Sequence, residues 1–206
     1  MKNMPDFNAR LNPSDFCQVP FILAPQYLLG AYLCSQVDGF FAAGKITECE
    51  VYLGGIDKAA HSYGYRHTPR TEIQYQQGGK AYVTLVYGMY NQFNVTASGA
   101  GVPDCILIRS LEPVAGIEIM QIRRKTNDLK KLATGPGKLC QALGIDFRRH
   151  YGADLCGDTL WIAPRDDNPL FLTSPRIGID YAEEFRDKPW RYYIAGNPYV
   201  SKTPRR

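Results

Sequence analysis

The residue types best suited to chemistry cluster in one short run, GKITECEVY, at 44–52. Strand alternation places Ile46, Glu48, Glu50 and Tyr52 on one face and Lys45, Thr47, Cys49 and Val51 on the other. Two carboxylates and a phenol then share a side. Such a pair can divide acid and base work, or stabilise positive charge building on a substrate. On an exposed edge the same pair is only a solvated face. His61 follows nine residues after Tyr52, and Arg109 closes a short apolar strand, Cys105–Arg109. Each also has a plain structural reading, a hydrogen-bonded histidine and a salt-bridged arginine.

The elements that would position these groups can be read from pattern. Residues 1–14 are polar and contain proline, which predicts a loosely held arm. Pro25–Cys34 reads as a short helix passing near Gly30 into a strand. Asp57–Ser62 suits a helical turn, and the polar stretch after it a loop. KAYVTLVYGMYNQFNVTAS, broken at Gly88, is the pattern of two paired strands. Its turn carries Tyr87, Met89 and Tyr90 where Asn, Asp, Gly or Pro is usual. Large apolar groups at a tip mark a contact surface unless the tip folds back on the core. Helical spacing predicts a helix over Pro113–Lys125, and a Gly/Pro loop feeds a second within Ala133–Gly144. Strands are predicted at Asp158–Ile162, Ile177–Ile179 and Arg191–Ile194. No internal repeat or dividing linker appears, so 15–206 reads as one domain.

Composition narrows the function classes. With 206 residues, 45% hydrophobic and 21% charged, the chain suits one folded domain, and not a disordered, collagenous or coiled-coil protein. The most apolar stretch, Phe21–Cys34, is interrupted and too short to span a bilayer, and MKNMPDFNAR lacks the core of a signal peptide. An intracellular protein with reduced thiols is expected. Six scattered cysteines and three histidines offer neither CxxC nor HExxH, so no metal and no cofactor is expected. GPGK is no nucleotide-hydrolysing loop, because Leu132 and Leu139 occupy its diagnostic positions. A helix start after glycines can still hold a phosphate. Net charge is +4, and Ile119–His150 alone carries eight Lys or Arg against two acids. A local stripe of that kind suits a phosphate backbone, or else is a solvated surface.

Read in order, ITECEVYLGGIDKAAHS, TPRTEI, AYVTLVYGMYNQFNV, LIRSLEP, GPGKLCQALGID and YIAGNPYVS resemble the alkyladenine (3-methyladenine) DNA glycosylase family over roughly residues 20–202. The resemblance implies an α+β fold: one mixed domain with a curved antiparallel sheet, surrounding helices and a protruding aromatic-tipped hairpin. It also implies a monofunctional base-excision enzyme. Such an enzyme flips damaged purines from double-stranded DNA and hydrolyses the N-glycosidic bond with an activated water, leaving an abasic site. By the same resemblance Glu50 is the catalytic carboxylate. Tyr52 stacks on the flipped base and His61 lies beside it. Asn94 crowds out the amino group of normal guanine, Arg109 helps hold water and nucleotide, and Tyr87 enters the minor groove, flanked by Met89 and Tyr90. Physics alone does not separate Glu48 from Glu50. Lys138, Arg123 and Arg124 are the expected phosphate contacts, and a monomer is expected.

One departure bears on specificity. The family places a second stacking aromatic three positions before the wedge, and here that base-pocket position is Thr84. Tyr82 shares its strand face. Loss of a stacking partner is worth about 1–3 kcal/mol of base binding and implies a more open pocket, tolerant of bulkier adducts or simply less active. Cys49 and Gln74 depart in a minor way. Two competing readings remain from sequence: a DNA-damage-binding protein of the same fold that cuts nothing, and a hydrolase of small nucleosides or glycosides using Glu48 and Glu50.

Overall fold

The structure, a computed structural model, describes residues 5–201. Eight strands form one curled, half-barrel antiparallel sheet: β1 (Tyr32–Val37), β2 (Phe40–Tyr52), β3 (Ala81–Val86), β4 (Tyr90–Thr96), β5 (Cys105–Ala115), β6 (Leu160–Ala163), β7 (Phe171–Ser174) and β8 (Arg191–Ile194). The main order is β3-β4-β5-β2-β1-β6. The long strand β2 serves two neighbours on one edge. Phe40–Lys45 pair with β1, and Glu48–Glu50 pair with β8, which also carries β7.

The fork coincides with a reversal of the side-chain pattern. On β2 an extra residue lies between the pairs Ile46–Leu111 and Glu48–Ser110, and on β5 Arg109 is extra between Ser110 and Ile108. A bulge in each strand shifts the alternation by one. Ile46 therefore points into the main core with Cys49 and Val51, and does not share the face of Glu48 and Glu50 as strict alternation predicts. On β5, Ile106, Ile108 and Leu111 all reach that core, while Arg109 turns to the carboxylates.

The core is sealed by helices: α1 (Ser14–Cys17), α2 (Pro25–Leu28), α3 (Ile117–Arg124), α4 (Leu129–Leu132), α5 (Pro136–Leu143) and α6 (Phe147–His150). Leu139, Cys140, Ala142 and Leu143 of α5 pack on the sheet beside Met120 of α3 and Phe16 of α1. At i, i+3 and i+4 spacing these form the apolar stripe expected of a covering helix.

Three predictions of local structure need correction. The helix predicted from Pro113 starts only at Ile117, because β5 runs on to Ala115, paired with Ala43 and Gly44 of β2. Gly44 is required there, since a Cβ would stand 2.8 Å from that of Leu111. Pro25–Cys34 is, as predicted, a short helix, Pro25–Leu28, that passes through Gly30 at φ +84° into β1. Ile177–Ile179 is not a strand, and the pairing segment lies earlier, at Phe171–Ser174. Finally, residues 5–14 lie against the sheet. The Phe7 ring centre is 5.5 Å from those of Tyr32 and Phe41, and the Leu11 amide donates to Ile162 O. These apolar anchors outweigh the polar composition around them. The rest of the predicted arm, and the last five residues of the predicted domain, fall outside the described residues.

Candidate active site

The paired bulges bring Glu48 and Glu50 against Arg109, and Arg191 of β8 and the loop pair Asp57 and Arg176 complete a group of three carboxylates and three guanidiniums. All three acids are fully buried, and a charge so removed from water persists only when paired and hydrogen-bonded. The two glutamates are held differently. Glu48 Oε1 accepts from Arg109 Nε at 2.9 Å and Arg191 Nε at 2.7 Å, and its Oε2 accepts from the Ser201 amide at 2.6 Å. Burial alone would raise its pKa, but Arg109, the Ser201 amide and Arg191 outweigh that and hold it below the usual carboxylate range. Glu48 is thus a structural counter-ion between two arginines.

Glu50 has a lighter cationic load. Its Oε1 accepts from the Ile177 amide at 2.8 Å, and its Oε2 from the Tyr52 hydroxyl at 2.8 Å and Arg109 Nη1 at 3.3 Å. Tyr52 therefore acts first as a donor to the carboxylate. Burial and then the charge of Glu50 push the phenol well above its ordinary range, so the proton stays on it. The Arg176 guanidinium lies 4.6 Å from the centre of the Tyr52 ring and fixes its tilt. Arg176 is itself held by Asp57, at 2.9 Å from Nη2, and by Val51 O.

His61 joins this group indirectly. Its Nδ1 is 2.8 Å from the Tyr82 hydroxyl, and Tyr82 packs in a cluster with Ile73, Cys105 and Tyr52. Arg70 Nη2 stands 3.2 Å from His61 Nε2. An arginine can only donate, so Nε2 accepts and the ring proton sits on Nδ1, directed at Tyr82. The residue is exposed, yet the protein packed around the ring, followed by the charge of Arg70, pushes its pKa down to about 4. Asn94 is buried opposite Tyr82 on β4 and donates through Nδ2 to Tyr82 O at 3.0 Å. Thr84, buried on the same face of β3 as Tyr82, leaves its Oγ1 without a partner among the described residues.

The hairpin tip projects from this region. Met89 N donates to Val86 O, and Tyr87 and Gly88 both have positive φ, at +53° and +68°. This is the mirror-image turn whose twist matches paired strands. Gly88 accepts it freely, whereas a tyrosine in the left-handed region is strained. Tyr87 is 87% exposed, Met89 68% and Tyr90 55%. Tyr90 leans over Gly137 at the start of α5, where Lys138 is exposed.

Arg123 and Arg124 are committed elsewhere. Arg123 donates to Ala142 O and Val37 O, and Arg124 to Leu132 O, Lys131 O and Gln141 Oε1. Pattern reading counted their charge correctly and could not see these acceptors. It also missed Arg176, Arg191 and Arg70, which touch Tyr52, Glu48 and His61, and Asp57, which holds Arg176. Period-two spacing placed Tyr82 on the face of Thr84 and did not reveal its hydrogen bond to His61.

The profile of the family described as Methylpurine-DNA glycosylase (MPG) matches residues 15–198. Proteins of Bacillus cereus strain G9842 and Bacillus mycoides strain KBAB4, each named "Putative 3-methyladenine DNA glycosylase", are 46% identical over 202 residues, covering 92% of this chain and 98% of theirs. A protein of the same name from Bacillus thuringiensis strain Al Hakam is 45% identical over the same share. A family match across nearly the whole sequence, and relatives this similar end to end, place the chain in the methylpurine-DNA glycosylase family.

Proposed function

We propose that this chain excises alkylated purines from duplex DNA in base-excision repair, as a hydrolase of the N-glycosidic bond, with Glu50 activating the water. The observation that carries the reading is Glu50 itself, a fully buried carboxylate aligned by Arg109, Tyr52 and the Ile177 amide. A buried group cannot reach a stacked base, so the nucleotide must rotate out, at a cost of a few kcal/mol that is least at a weakened pair. Tyr87, with Met89 and Tyr90 beside it, fills the gap in the duplex.

In the pocket Tyr52 stacks on the base, contributing about 1–3 kcal/mol, and an electron-poor alkylated ring gains further from the aromatic face. His61 lines the pocket, and Asn94 crowds out the amino group of guanine. As the bond from C1′ to the base nitrogen stretches, its electron pair leaves with the base and positive charge builds on the sugar. The water oxygen attacks C1′ while Glu50 takes the proton, with Arg109 holding both. A cationic base such as 3-methyladenine departs without an added proton. Lys138 and the free amides at the start of α5 contact the backbone phosphates. One chain supplies every group named, so a monomer suffices.

The test is to incubate the protein with methylated duplex and then heat it in alkali. Strand breaks at abasic sites are expected. Intact strands with retained binding would instead support a damage-binding protein of the same fold. Release of base from free nucleoside without duplex would support a small-molecule hydrolase.

A further inference from the structure

Beside His61 the surface opens into a recess of about 690 Å³. This is within the range of roughly 300–1,000 Å³ typical of small-ligand sites. Its walls are Thr84 and Leu85 of β3, Pro69 of the preceding loop, and Phe147 and Tyr151 at the ends of α6, with Arg70 at its edge. Three features suggest an occupant. The Phe147 and Tyr151 rings meet edge to face with centres 6.1 Å apart, and Tyr151 meets Tyr82 in the same way at 6.3 Å, a lining that suits a flat aromatic group. Thr84, 1% exposed, floors the recess with a short side chain, so the space above it stays open. Arg70 lines the recess and also contacts the His61 ring, so the recess and the base pocket share a wall.

We propose that this recess receives the aromatic arm of a purine alkylated by a group larger than methyl, so that the enzyme takes arylalkyl adducts as well as methyl ones. The proposal rests on the excision reading above and adds a substrate class to it. With the base held at Tyr52 and His61, the arm passes Arg70 and lies against Phe147 and Tyr151, above the short side chain of Thr84. A larger side chain at position 84 or 85 would fill the space the arm needs.

The experiment measures single-turnover excision by the full chain from duplexes carrying 3-methyladenine or 3-benzyladenine, both cationic and both leaving without an added proton. The expected wild-type rate ratio of benzyl to methyl is within about tenfold of one. Leu85→Trp and Thr84→Tyr should each lower that ratio at least tenfold, the scale at which pockets discriminate added carbon groups. Two substitutions that fill the recess from different positions keep the test sound if one of them perturbs folding. A wild-type ratio below about one hundredth, or a ratio unchanged in both variants, overturns the proposal while leaving methyl excision intact. Excision of neither lesion by the wild type overturns the excision reading itself, and this proposal with it.

Discussion

Glu48 and Glu50 stand two residues apart on one strand and do different work because their partners differ. Glu48 is clamped between Arg109 and Arg191, so its removal is a stability event. Glu48→Gln removes the buried charge that Arg109 and Arg191 share, leaving Glu50 as the carboxylate on Arg109, and an equilibrium denaturant titration should show a loss of about 3–5 kcal/mol. A loss under about 1 kcal/mol would mean the clamp is unimportant. His61 offers a second check at this scale. Its folded pKa of about 4 lies below the unfolded value of about 6.5, so between those values the unfolded chain binds a proton that the native chain refuses. The contribution of His61 is therefore complete above about pH 6.5 and is lost as pH falls towards 4. The imidazole resonances of His61 should titrate near pH 4, and a midpoint near 6.5 would remove the neutral ring contacting Arg70 and Tyr82.

At the scale of elements, the hairpin and α5 were legible in the sequence because both are local. Alternating β-branched and aromatic residues around a glycine give β3 and β4, and a Gly/Pro entry with apolar spacing gives α5. The paired bulges of β2 and β5 were not legible. Nothing in ITECEVY marks an inserted residue, and the inversion that sends Ile46 into the main core and Glu48 to the opposite face, among buried arginines, exists only through pairing with β5. The start of α3 failed for the same reason, since the pairing of Pro113 and Ala115 with β2 overrode a helical pattern that ran on before it. Of the candidate site, Glu50, Tyr52 and Arg109 meet in space. Their supporting arginines, Arg176 and Arg191, come from distant segments that no spacing rule connects. The strained tip gives a prediction with opposite signs. Tyr87→Asn should stabilise the fold slightly, by about 1 kcal/mol, since Asn tolerates a left-handed backbone. The same change should weaken preference for damaged over undamaged duplex, measured by competition binding. Loss of stability together with unchanged preference would contradict a tip shaped for contact.

Across the whole molecule, the basic excess is divided between structural and available charge. Lys138→Ala should weaken duplex binding uniformly across sequences and reduce the slope of log affinity against log salt by about one. Arg124→Ala should leave that slope nearly unchanged and lower thermal stability, because its guanidinium already serves Leu132, Lys131 and Gln141. The reverse pattern would reassign the DNA-facing surface. The curled sheet and the forked strand set Glu50 against Arg109, Tyr52 and the Ile177 amide, and the direct test is Glu50→Gln assayed twice on the same 3-methyladenine duplex. Single-turnover release of free base should fall by about 10²–10⁴-fold, the usual contribution of a positioned base, while affinity for the lesion duplex stays within a few-fold of wild type. Base release at an undiminished rate would contradict the assignment of Glu50 as the group that activates water.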